Sequence, residues 1–97
     1  MNTWEDRMRS HPPAPAPPLQ HVATLFRVKG ASGRPLRCAV YLVATGTELR
    51  LEYEDTDDLL RSQLFVVHDD YAIAQLADEW HAALMAKGFQ ELDGERL

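Results

Sequence analysis

Cysteine occurs once in the 97 residues, at Cys38. An internal disulfide is therefore excluded, and such usage fits a reducing compartment. No apolar run approaches the ~18 residues that a membrane-spanning helix needs. The opening MNTWEDRMRS has no apolar h-region, so the expectation is no secretory leader, a cytoplasmic location and no membrane partner. A surplus of positive charge is missing as well. The net charge is −5, the opposite of the basic footprint that a nucleic-acid-binding domain usually carries. There is no C-x2-C or H-x3-H spacing, no phosphate-binding loop, no dinucleotide fingerprint and no Ser/His/Asp arrangement. The sequence thus predicts no metal, no cofactor and no catalytic residues, and a protein that is not an enzyme.

What is present begins with proline. Residues 12–18 read PPAPAPP, which packs as neither helix nor strand and reads as a polyproline II spacer. Arg9-x-x-Pro12-x-x-Pro15 matches an SH3-type ligand pattern, a weak signal in so proline-rich a stretch. Ahead of it, Thr3 could cap a helical turn placing Trp4 and Met8 on one face, too short to stand without a docking partner. Residues 1–20 are read as a flexible N-terminal arm that a protein partner could hold, and residues 21–97 as one small domain. Roughly 75 residues are left for a core, a size at which a lone domain is marginal and a core shared with a second chain is plausible.

Within the domain, VATLFRVK (22–29) alternates Thr24, Phe26 and Val28 against Ala23, Leu25 and Arg27, the period of a strand. GASGRP supplies a turn; its GxxG pattern joins two strands here, not the two helices of a KH domain. Strands are expected over about 37–43 and 48–54, a single helical turn over 57–62, and a fourth strand at LFVV, 64–67. The strongest element is a helix capped by Asp69 or Asp70, with Ile73, Leu76, Ala77, Trp80, Ala83 and Leu84 on one face and Asp78, Glu79 and His81 on the other. Gly88 stands at the left-handed C′ position, and Phe89 can fold back on Leu84. The expected class is α+β: a three- to four-stranded antiparallel meander with one long C-terminal amphipathic helix across one face, in the order β-β-β-(β)-α.

The strand 37–43 is apolar on both faces, with Ala39, Tyr41 and Val43 on one parity and Cys38, Val40 and Leu42 on the other. Strands with two apolar faces are normally covered twice, and one helix covers one face. The register of the following hairpin decides which set is left over. A three-residue loop Ala44-Thr45-Gly46, with Gly46 left-handed, is favoured by turn chemistry. It puts Tyr41 in the core and Cys38, Val40 and Leu42 outside. A two-residue loop Thr45-Gly46 does the reverse, leaving Ala39, Tyr41 and Val43 outward with Arg37 and Arg50.

Charge is divided along the chain. Residues 22–53 hold five basic groups against two acidic ones, while residues 54–97 hold eleven acidic groups against three basic ones. Such polarity can orient a partner or a second copy. The leading functional reading is a non-catalytic, self-associating interaction module, a homodimer joined through the sheet face opposite the helix by Leu25, Arg27, Val40, Leu42 and Arg50. The rival is a single-stranded nucleic-acid-binding domain in which Tyr41 stands outward among Arg27, Arg37 and Arg50 as a stacking platform.

Among other chemistry-bearing residues, Cys38 sits among apolar neighbours and reads as a small buried hydrophobe, without the base that a catalytic thiol needs. Of His11, His21, His68 and His81, only His68 stands beside carboxylates, in HDDY, where a helix cap explains them. EYEDTDD (52–58) lacks the glycine and the terminal glutamate of a calcium loop.

Overall fold

A computed structural model describes residues 18–92. The expected capping turn at Trp4 and Met8, and most of the Pro-rich spacer, lie outside the described residues. The elements are β1 (Gln20–Lys29), β2 (Pro35–Val43), β3 (Gly46–Tyr53), β4 (Leu59–Phe65), helix α1 (Asp70–Ala86) and a short β5 (Gln90–Glu91). Among the described residues they form one antiparallel sheet in the order β4-β3-β2-β1-β5 with one helix, an α+β architecture.

Local chemistry explains the helix. The Asp69 carboxylate accepts from the Ala72 N–H at 3.1 Å, satisfying one of the donors that a helix N-terminus leaves without a partner. At the other end Gly88 takes φ +96°, and the N–H groups of Gly88 and Phe89 return to the carbonyls of Met85 and Leu84. This is the Schellman arrangement expected from Gly88-Phe89. Phe89 then leads into β5, which pairs with Val28 and Lys29 and closes part of the β1 edge. Ile73, Ala77 and Trp80 bury against Phe26, Val28, Leu36, Cys38, Val40, Leu49 and Leu51. His81, expected on the solvent side of the helix, instead sets its ring edge-on to Phe26 at 4.9 Å, with Nε2 3.3 Å from a Glu91 carboxylate oxygen.

Two expectations about the strands are corrected. Residues 57–62 do not form a helical turn. The Tyr53 N–H donates to the Asp58 carbonyl and the Asp57 N–H to that of Tyr53, and from Leu59 onward the chain pairs with β3. The fourth strand therefore ends at Phe65, and Val66 and Val67 lie beyond it. The hairpin follows neither proposed register, because Val43 pairs with Gly46 across the two-residue loop Ala44-Thr45. Gly46 belongs to the strand for a steric reason: a Cβ there would stand 2.4 Å from the Phe65 carbonyl oxygen.

The favoured three-residue loop had assigned the faces the wrong way round. Cys38 and Val40 pair with Leu51 and Leu49 beneath the helix, whereas Ala39, Tyr41 and Val43 lie on the opposite face with Arg50 and Glu48. In β1, irregularities at Val22 and Leu25 interrupt the alternation. Leu25 consequently lines a groove with Phe26, Ala77 and His81 on the helix side, not beside Arg27 on the outer face.

Candidate functional site

The face opposite the helix is built from alternate residues of β2 and β3. Ala39, Tyr41 and Val43 form its apolar centre. Around them runs a mesh of ion pairs that links β1, β2, β3 and the turn after β3, with Arg50–Glu48 lying within β3 itself. Arg37 donates from Nε to Glu52 at 2.7 Å and from Nη2 to Asp57 at 2.6 Å. Arg50 donates to Glu48 at 2.5 Å. Arg27 grips Glu54 through both Nε and Nη2, and the Tyr41 hydroxyl donates to Glu52. Burial, reinforced by that bond, pushes the Tyr41 phenol up to about 12. The Arg27 hydrogen bonds hold the Glu54 carboxyl below the usual glutamate range. At one end of the sheet Arg34 lies 3.8 Å over the Tyr53 ring and donates to Asp55 at 3.1 Å.

The residues expected to bind a partner are divided by the sheet. Arg27 and Arg50 lie on the outer face, within the mesh. Val40 is buried under the helix, and Leu25 joins it in a groove beside Ile73 and Ala74. Leu42 pairs with Thr47 on that same side and is half exposed. The three apolar residues share one side of the sheet, but it is the helix side. The physical cause is the hairpin register for Val40 and Leu42 and the β1 irregularity for Leu25.

The residues of the rival reading, Arg27, Arg37, Tyr41 and Arg50, do share the outer face. Their chemistry there is largely committed. Each arginine meets a carboxylate, and Tyr41 is 8% exposed, with Arg50 5.2 Å from its ring centroid and the His21 ring against it.

The sequence pattern places the fourth strand at 64–67 and so misses the greater part of the edge strand β4, Leu59–Phe65. This strand pairs only with β3 among the described strands, and its central residues are all exposed. Because Val43 and Gly46 close the two-residue loop, the even residues of β3 turn their main-chain groups to β2 and the odd ones to β4. Arg61, Gln63 and Phe65 oppose those odd residues. Ser62 and Leu64 thus turn their N–H and C=O groups to the open edge, where the Leu64 carbonyl accepts from the exposed Gln63 side-chain amide at 3.2 Å. Leu60 and Leu64 beside them are exposed at 46% and 39%.

Cys38 is fully buried, and burial, with the Glu52 charge adding to it, pushes its thiol up to about 12, so it stays protonated and inert. His68 bridges Thr47 at 3.0 Å and Asp70 at 2.6 Å, tying the start of α1 to β3. Among the described residues no cluster of histidine, cysteine and carboxylate groups could hold a metal ion, and no helix is long and apolar enough to cross a membrane. No protein-family model, no curated protein and no solved structure matches this chain.

Proposed function

We propose that the chain is a non-catalytic, self-associating protein-interaction module whose homodimer forms edge to edge through β4. The observation that carries this reading is the exposed, self-complementary edge of that strand. A row of outward backbone donors and acceptors is a template for another strand, and protected edges usually carry charged residues, proline, a bulge or a covering segment. β4 reads LLRSQLF, with apolar pairs at both ends, one charge at Arg61, no proline, and a bulge confined to Leu60. An antiparallel two-fold axis through Ser62 sets Ser62 opposite itself and Arg61 opposite Gln63. It brings Leu64 to the Leu59-Leu60 end of the partner, and no like charges meet. Two copies can therefore satisfy the same patch reciprocally, as an isologous contact requires.

The reading keeps the expected homodimer and moves its contact from a sheet face to a sheet edge. A cytoplasmic setting accords with the single buried thiol, and a protein partner for the N-terminal arm remains a proposal from sequence. The nucleic-acid reading draws less support, because the arginines it needs are paired with carboxylates.

Sedimentation velocity across low to high micromolar concentration tests the dimer. The wild type should show a concentration-dependent monomer–dimer equilibrium. Ser62→Pro removes an N–H that points away from β3, a substitution an edge strand accommodates, and should leave a folded monomer. Ser62→Lys, which opposes like charges on the axis, should do the same. A monomeric wild type, or folded variants that still dimerise, would overturn the proposal.

A further inference from the structure

We infer that the groove between the C-terminal half of α1 and the β3–β4 side of the sheet binds a small amphipathic monocarboxylate, with an apolar body inside and the anionic head at the rim. This goes beyond self-association and concerns the helix side of the sheet; it shares only Leu60 and Arg61 with the β4 edge. The helix and sheet separate here to leave a cavity of about 290 Å³, close to the lower end of the range for small-molecule sites, about 300 Å³. Its walls are hydrocarbon and aromatic: Leu36, Leu51, Trp80, Leu84 and Phe89, with Leu60 half exposed at one side. Such walls reward an apolar body and give no hold to a fully polar one.

Charge at the rim selects the sign of the head group. Arg61, Lys87 and Arg34 line the same groove. Arg34 is already bound to Asp55. Arg61 stacks 5.4 Å over the Trp80 ring, and among the described residues neither it nor Lys87 has a carboxylate within ion-pairing distance, whereas Arg27, Arg37 and Arg50 each do. In a chain of net charge −5, two unpaired cations beside an apolar groove stand out. The helix C-terminus lies close by and would repel an anion. Its last carbonyls, however, already accept from the N–H groups of Lys87, Gly88 and Phe89, which reduces that repulsion. A carboxylate between Arg61 and Lys87 would be held by charge-assisted hydrogen bonds, and a phosphate or other fully hydrophilic anion would leave the walls unused.

The test titrates octanoate into the full chain, followed by calorimetry and by the indole N–H resonance of Trp80. Saturable binding is expected below about 5 mM, with 1-octanol at least about fivefold weaker because it lacks the charge. The double variant Arg61→Gln/Lys87→Gln, both at the rim, should weaken octanoate about five- to tenfold and leave octanol unchanged. Ala83→Phe, at an exposed helix position facing the groove, should block both ligands while α1 remains folded; Lys87→Gln alone serves if the double variant is unstable. No saturation by octanoate, equal affinity for the alcohol, indifference to the loss of both cations, or undiminished binding to Ala83→Phe would each overturn the inference.

Discussion

Trp80→Ala tests whether the helix is held by its buried stripe. Ile73, Ala77 and Trp80 are the buried residues of α1, and Trp80 is the largest of them. Removing a buried tryptophan side chain typically costs about 3–5 kcal/mol. Here one side of the indole borders a groove that water can enter, and Arg61 covers part of the ring. Partial filling of the vacated space should bring the loss to the low end, about 3 kcal/mol. For a domain of this size each kcal/mol moves the melting temperature by about 4–8 °C, so a fall of about 12–24 °C is expected. The measurement is thermal and urea denaturation by far-ultraviolet circular dichroism, at one fixed protein concentration so that any concentration dependence does not shift the apparent stability. Trp80→Phe retains most of the apolar volume and should cost about 1–2 kcal/mol. A loss below about 1 kcal/mol for the alanine variant would refute the reasoning, since it would mean that the stripe does not anchor the helix.

Two further predictions concern titration of the outer face. The raised Tyr41 phenol contributes stability in full below the ordinary tyrosine range near 10, and the contribution is lost as pH rises through about 12. Absorbance of tyrosinate at alkaline pH should show one of the three tyrosines ionising late, and Tyr41→Phe should delete that late step; its persistence would assign it elsewhere. Glu54 behaves oppositely. Its carboxyl is held low by Arg27, so its stabilisation is present above the usual glutamate range, near about 4.3, and disappears as pH falls through the depressed value. Glu54→Gln should therefore lower stability at neutral pH by about 0.5–1 kcal/mol and flatten the acid limb of a urea-midpoint profile; an unchanged limb would show that the pair carries no linkage.

The parts of the fold legible in the sequence are those in which local pattern and tertiary environment agree. In α1 the apolar spacing, the Asp69 cap and Gly88-Phe89 all specify the same element. In β3 the alternation of Leu49 and Leu51 against Glu48, Arg50 and Glu52 matches a strand with one face under the helix. β4 was misread because an exposed edge strand has little reason to alternate, so LLRSQLF carries no period-two signal. The hairpin register was illegible because the decisive constraint on Gly46 is a contact with Phe65, nineteen positions along the chain. Turn preference alone carried no trace of it. Leu25 moved to the helix side through an irregularity that no residue type in β1 announces.

The candidate site fails to be legible for a related reason, and the failure bears on how the chain can associate. Read linearly, a basic stretch followed by an acidic one describes a dipole that could steer a partner. The antiparallel meander folds these stretches against each other. Residues 27, 34 and 37 find their carboxylates at 54, 55 and 57, and Arg37 also takes Glu52 across the β2–β3 ladder. Charge that seemed available to another molecule is thus spent in closing the sheet, and the pairs at Arg37–Glu52 and Arg50–Glu48 are shielded from solvent. Separating such pairs to admit a partner would expose desolvated charges to one another's loss, a strongly unfavourable step. The edge of β4 carries no comparable obstacle. Its main-chain groups at Ser62 and Leu64 are turned outward, and association there can add hydrogen bonds and bury Leu60 and Leu64 while every ion pair of the outer face stays closed. For that reason the self-association proposed here is placed at a strand edge, where the chain has unused capacity, and not on the face where its charged residues are most concentrated.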